Sequence, residues 1–224
     1  MSSFSSLKLA DCLANIRRGH DMKRSVYFFC VAGVLFLLSA CAGPGARIPI
    51  SFFYKAKVPS SFSAAHSMQK VVVFPLKDNR EDPKIVGRRI HLFGQIDTYE
   101  STTSVGESIA QLLVSSLRQR GWDARLASPG VQPQDIHADL VVTGTIPSLW
   151  AEAVSRIGYT QIDARFALNT EILDPNTGEK IISRIENQNS PKVVFFHPER
   201  LQDILNELVS SGLNRIDVTS SQAP

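Results

Sequence analysis

Apolar residues along this chain recur with periods that define its elements. Lys70 to Phe74 is a β-branched run of strand length that Pro75 closes, and it predicts a buried strand opening the folded unit. A polar stretch, Asp78-Asn79-Arg80-Glu81-Asp82-Pro83, leads into a weaker extended segment from Ile85 to Phe93. From Val105, apolar positions 105, 109, 112, 113 and 117 share one helical face, with a Ser104/Glu107 capping signal before them and Gly121 as a stop. Trp122–Leu126 and Ala138–Ile146 read as strands, and Trp150 lies in a continuation past Pro147. Tyr159 to Asp174 alternates Ile162, Ala164, Phe166, Leu168, Thr170 and Ile172 against Asp163, Arg165, Asn169 and Glu171, the period of a strand with one wet face. Asp174-Pro175-Asn176-Thr177-Gly178 is a turn, and Lys180–Glu186 returns as the hairpin partner. A last amphipathic helix spans Pro198 to Ile216, burying Leu201, Ile204, Leu205, Leu208 and Val209.

The order β-α-β-β-β-β-α predicts an α/β protein, an α+β two-layer sandwich in which two helices pack on one face of a largely antiparallel sheet. The expected domain is residues 69–217, followed by a disordered tail, 218–224. Ahead of it, residues 41–68 shift to Gly, Pro, Ser and Ala and read as a flexible tether. Within that tether Ile48–Lys57 is extended in character. Its Phe52, Phe53 and Tyr54 have three readings: resting at a lipid interface, packing as an added edge strand, or contacting a partner.

The strongest apolar run is Val26–Leu38, thirteen residues after Lys23-Arg24 and before Ser39-Ala40-Cys41. It is shorter than the ~20 residues a helix needs to span a bilayer and has the form of a signal sequence. Cys41 directly after Ser39-Ala40 matches the lipobox of bacterial lipoproteins. That match implies cleavage between Ala40 and Cys41 and a diacylglycerol thioether on Cys41. Residues 22–40 are then the signal peptide. Residues 1–21, with Asp11, Arg17, Arg18, His20 and Asp21, read as a misassigned upstream start or a longer basic region. Ala42 and Gly43 follow the cysteine; enterobacterial lipoproteins retained in the inner membrane carry Asp there, so by that resemblance the expected location is the outer membrane, periplasmic face.

The chain carries 24 basic and 21 acidic side chains; residues 1–40 hold five and two of these, so nineteen of each remain beyond them. A neutral domain without aromatic-interleaved basic clusters argues against nucleic acid. Cys41 is the only cysteine after residue 40, which excludes a disulfide or a cysteine metal site within the domain. His66, His91, His137 and His197 are scattered without ligand spacing, so no metal and no cofactor is expected, and each reads as a surface or loop residue. No Gly-x-Ser-x-Gly elbow and no phosphate loop occurs, so no catalytic residue is assigned. Two surfaces remain. The acidic group Asp78, Glu81 and Asp82 reads as a solvated turn. Arg80, Lys84, Arg88 and Arg89, with Trp150, form a candidate partner surface.

Together the lipobox at Cys41, the strand followed by Asp78-Asn79-Arg80, the later Ile85-Val86-Gly87-Arg88, the helix ending in Arg118-Gln119-Arg120-Gly121-Trp122, the Ala138-Asp139-Leu140-Val141-Val142-Thr143-Gly144 strand and the closing helix resemble the YajG-like bacterial lipoproteins over roughly residues 41–216. The resemblance implies an outer-membrane location and a compact domain, and it brings no catalytic residues. The expected activity is non-enzymatic binding of an envelope protein or component. The alternatives are an accessory role in an envelope transport system, or a cell-wall or lipid hydrolase. A cleft joining the acidic loop to a second acid would favour the hydrolase, and an open groove or sheet edge would favour binding.

Overall fold

The computed structural model of the chain describes residues 45–54, 69–128, 130–132 and 136–218, all within one compact unit, Gly45–Pro224. Residues 1–44, with Ala40 and Cys41, lie outside the described residues, as do 55–68 with His66.

Among the described residues ten strands and two helices follow in the order β1 (Arg47–Ile50), β2 (Lys70–Val73), β3 (Lys77–Asp78), β4 (Ile85–Ile90), β5 (Ile96–Ser101), α1 (Val105–Gln119), β6 (Asp123–Leu126), β7 (Leu140–Arg156), β8 (Tyr159–Leu173), β9 (Lys180–Asn189), β10 (Lys192–Val193) and α2 (Pro198–Leu213). They form the α+β sandwich the periodicity predicts, but the order differs from the expected one: five strands precede α1 where one was expected, and five strand pairings are parallel in a sheet expected to be largely antiparallel. The spine is the antiparallel hairpin β7–β8, seventeen and fifteen residues long, continued by β9 on the outer edge of β8. The other edge of β7 receives β2, β3 and β4 in succession, all parallel to it. β6 extends β2, β5 pairs antiparallel with β4, and β1 lies parallel on β5.

Burial explains the composition of each strand. Val71 and Val73 of β2 enter the main core under the helices, while Val72 joins a smaller cluster with Ala127, Ala138 and Val141 on the other face. A strand covered on both sides reads as a continuous apolar run, which is why 70–74 does not alternate. β8 has only its even positions buried, and it alternates. In β7 the register against β8 shifts between Thr145 and Ser148, so Pro147 sits in a bulge. Before it Leu140, Val142 and Ile146 point to the helices; after it Leu149, Ala151 and Ala153 do. The extra residue reverses the facing of the rest of the strand.

α1 is capped as the sequence predicts: Ser104 Oγ accepts the Glu107 N–H at 3.5 Å. It stops where Gly121 takes φ +91°, which lets the Trp122 N–H return to the Leu117 carbonyl at 3.1 Å. α2 starts at Pro198, a residue whose ring suits the first turn, and is pinned to β9 through Asn187. The Asn187 amide donates to Leu208 O and Ser211 Oγ, and Arg215 donates to its oxygen at 2.7 Å.

The ends of the domain differ from expectation. Residues 45–54 belong to the fold and not to the tether. Ile50 is 1% exposed, and Ile48, Phe52 and Tyr54 pack on the core. Beyond β1 the chain lies on α2, where the Phe53 N–H donates to Asn206 Oδ1 at 3.1 Å and the Tyr54 hydroxyl donates to Asn214 Oδ1 at 2.5 Å. Of these aromatics Phe52 and Tyr54 pack on the core, beyond the end of β1, whereas the Phe53 side chain is 41% exposed. At the other end Val218, expected in the tail, is buried beside Ile216. Both segments have apolar side chains too few to show a period, yet they cover core that would otherwise face water.

Tyr99 of β5 is fully buried, and its hydroxyl has no hydrogen-bond partner among the described residues. Burial pushes the phenol up to about 12, Arg89 works against this and Asp97 adds to it. A phenol raised above its unfolded value of about 10 costs the fold nothing at neutral pH, and its destabilisation grows as pH rises from about 10 through about 12. An orphaned buried hydroxyl is a net cost, so Tyr99→Phe is expected to stabilise the domain by about 1 kcal/mol. A thermal melt checks this. A fall in melting temperature would mean that the hydroxyl has a partner.

Candidate functional site

The sheet face opposite the helices is open over β4, β7, β8 and β9. The bulge at Pro147 decides its content, because it turns Ser148, Trp150 and Glu152 outward. Trp150 is half-buried and stands directly across the ladder from Arg165 of β8. On its β4 side the Arg88 guanidinium lies 5.9 Å from the indole centroid and forms a close ion pair with Glu152. A shallow depression of about 590 Å³ runs from Trp150 and Arg165 past Pro147 to Arg80 and the Glu81-Asp82 turn. A second hollow shares Trp150 and Arg165 and extends over Asp163 and Gln188.

The five residues expected to form a partner surface separate here. Arg88 and Trp150 stand together on the open face. Lys84 is an exposed loop residue at its border. Arg89, one residue on from Arg88, points to the helix side, where its guanidinium stacks 4.3 Å from the Phe196 centroid and donates to Ser155 Oγ. Alternation along a strand makes this unavoidable: neighbours in β4 cannot share a face.

Arg80 is a correction. Its side chain is 7% exposed and is a brace inside the loop, not a free surface cation. Nε and Nη2 grip the two Asp78 oxygens at 2.9 and 2.7 Å, Nη1 donates to Ile85 O at 2.8 Å, and Nη2 also donates to Pro83 O at 2.7 Å. A planar fork with five donors suits such a site. The sequence carries a signal for it, Asp-x-Arg in a turn, but the pattern by itself does not say whether the pair is buried.

The acidic loop is likewise occupied by its own folding. Asp78 is paired with Arg80. Asp82 Oδ1 accepts the N–H groups of Ile85 and Lys84, and these two bonds, more than the nearby Arg80 and Lys84 charges, hold its carboxyl below the usual range. The depression is lined by Glu81 and Asp82 from this one loop and by no carboxylate from another element. Across the adjoining hollow Glu152 and Asp163 face each other on the β7–β8 ladder, and Glu152 is taken up in the ion pair with Arg88.

Of the histidines, His137 and His197 are exposed. His91 departs from the surface expectation, since its Nε2 is 2.6 Å from Asp97 Oδ2 in a partly buried pair. Burial raises the Asp97 carboxyl, but hydrogen bonds from His91 and the Ala46 N–H outweigh it and leave the group lowered. Among the described residues no group of three or more His, Cys, Asp or Glu could hold a metal ion, and no helix is long and apolar enough to cross a membrane.

Arg165, Glu152 and Asp163 were not singled out by sequence reasoning as site residues. The available signal was the wet face of β8; what it lacked was knowledge of which β7 residues stand opposite.

No family model and no curated protein matches the chain. Among solved structures it is similar to protein XCC0632 from Xanthomonas campestris, at 8% identity and TM-score 0.45 over 75% of this chain and 91% of that one. It is also similar to the PelC dodecamer from Paraburkholderia phytofirmans, at 15% identity and TM-score 0.43, covering 69% and 92%. Lipoprotein GNA1162 from Neisseria meningitidis is similar at 11% identity and TM-score 0.34, covering 64% and 96%. Likeness at this level assigns no activity and no partner.

Proposed function

We propose that the chain is a non-enzymatic lipoprotein of the outer membrane, held at the periplasmic face by lipid on Cys41, that binds an envelope protein through the open face around Trp150. The observation that carries the reading is that face itself: a half-buried indole between Arg88 and Arg165, over a shallow hollow, with no helix above it among the described residues. Tryptophan and arginine at the centre of a patch, with carboxylates at its border, is the composition of an energetic centre for protein recognition. The lipobox and the YajG-like pattern support the location. Tethering supports the binding mode, because confinement to one membrane raises effective concentration and makes modest contacts sufficient. The engagement of Asp78 by Arg80 and of Asp82 by the loop's own N–H groups favours binding over hydrolysis.

The test is a photo-crosslinking residue at Gln188, on the open face, with the same residue at Thr177 as a remote control, in intact cells. The expected result is one envelope protein captured from 188 and not from 177, and lost on Trp150→Ala while the domain melts unchanged. Equal capture from both positions, or none, would overturn the use of this face.

A further inference from the structure

We infer that the end of the sheet bearing the β4–β5 turn, the β7–β8 turn and the segment after β10 is a second membrane contact, resting its apolar tips in the headgroup layer of the bilayer that holds the lipid anchor. The inference rests on the reading of Cys41 as lipidated. Six of the nine exposed large apolar side chains among the described residues lie at this end: Leu92, Phe93, Ile96, Ile157, Val194 and Phe195. Phe93 is 96% exposed, Ile157 86% and Phe195 82%. Isolated surface apolar residues are ordinary, but such a concentration marks a surface that meets something apolar.

Strand register brings these tips together. Ile90 pairs with Val154, so the turn after β4 lies beside the turn after β7. Val193 pairs with Thr160, which places Val194 and Phe195 at the start of β8, next to the same turn. A hollow in this region joins Arg156, Gly158 and Tyr159 to Val194 and Phe195.

The occupant follows from where the chain enters the fold. Ala46 is bound at this very end: its N–H donates to Asp97 Oδ1 at 2.9 Å and its carbonyl accepts the Thr98 N–H at 2.8 Å, immediately after the β4–β5 turn. Cys41 precedes Gly45 by four residues, and four residues reach at most roughly 14 Å when fully extended. A lipid on Cys41 therefore keeps Gly45 within that distance of the bilayer surface, and the apolar end beside it is held close to the headgroups. The expected tether of residues 41–68 would have allowed a long stand-off, and the placement of β1 removes it. Side-chain chemistry agrees with a headgroup layer: Arg156 is exposed, and the Lys192 ammonium sits 5.5 Å from the Tyr159 ring centroid. Both cations are placed to meet phosphates while aromatic and aliphatic tips enter the interface. The arrangement leaves the open face of β7 and β8 directed sideways, toward neighbours in the same membrane.

The experiment uses the mature, lipidated full chain bound to vesicles of phosphatidylethanolamine and phosphatidylglycerol. An environment-sensitive fluorophore is attached through Phe93→Cys, Ile157→Cys or Phe195→Cys, with Thr177→Cys as control. These side chains are exposed, so the variants retain the fold, and their melts verify it. The expected result is a blue shift and quenching by lipid-borne quenchers at 93, 157 and 195, at least threefold above 177. Quenching at all three equal to that at 177, on protein whose mass confirms lipid on Cys41, would overturn the inference and leave the anchor standing. Absence of lipid on Cys41 would overturn the anchor and the inference with it. Shielding of 93 in cells but not on vesicles would assign this end to a protein and equally overturn the membrane contact.

Discussion

A chain beginning at Gln69 is expected to be less stable than one beginning at Gly45 by on the order of 5 kcal/mol, a large share of the 5–15 kcal/mol that holds a domain folded. The loss has three sources. Ile50, 1% exposed, contributes about 1.5–3 kcal/mol of apolar burial, and the partly buried Phe52 and Tyr54 add to it. Asn206 on α2, fully buried, loses the Phe53 N–H that its oxygen accepts, and Asp97 loses the Ala46 N–H. The outer edge of β5 is uncovered, and a bare strand edge invites pairing between copies. Urea unfolding of the two chains, compared as extrapolated free energies because the surfaces exposed differ, reads the effect. Equal stabilities would show that the domain begins at 69 after all and that β1 is an accessory strand.

Arg80→Ala is expected to cost about 3–5 kcal/mol, the range for removing one partner of a buried ion pair. Asp78 would be left with its carboxylate in a site 14% exposed, and the carbonyls of Pro83 and Ile85 would lose their charged donor. Arg80→Lys keeps the charge but cannot bridge two carboxylate oxygens and two carbonyls at once, so it should recover less than half of the loss. For a domain of this size the Ala variant should melt about 10 °C lower. If Arg80 were instead a free cation on a docking surface, the melt would be unchanged and only partner capture would fall.

The two experiments address places where sequence reasoning and structure part. The alternation in β8, the helical faces of α1 and α2, the cap at Ser104 and the turn at Asp174 to Gly178 were all legible, because each depends on residues close in sequence whose period reports which side is buried. β1 was not, since four residues paired in parallel with β5 carry no period of their own. Arg88 and Trp150 were legible as candidates. Their separation from Arg80 and Arg89 was not, because facing depends on which neighbour each strand meets.

Sequence alone determined the class of fold, the amphipathic elements, the lipobox expectation at Cys41 and the lack of any catalytic pattern, all of which are local in the chain. Only the tertiary structure decided that Pro147 sits in a bulge, that Arg80 is sealed inside its loop, that residues 45–54 close the core, and that two turns and the segment after β10, distant in sequence, share one end of the sheet. The physical reason is that a side chain's exposure, charge partner and direction are fixed by contacts between strands and helices many residues apart. Those contacts form only on folding, and no window of the sequence contains both sides of them.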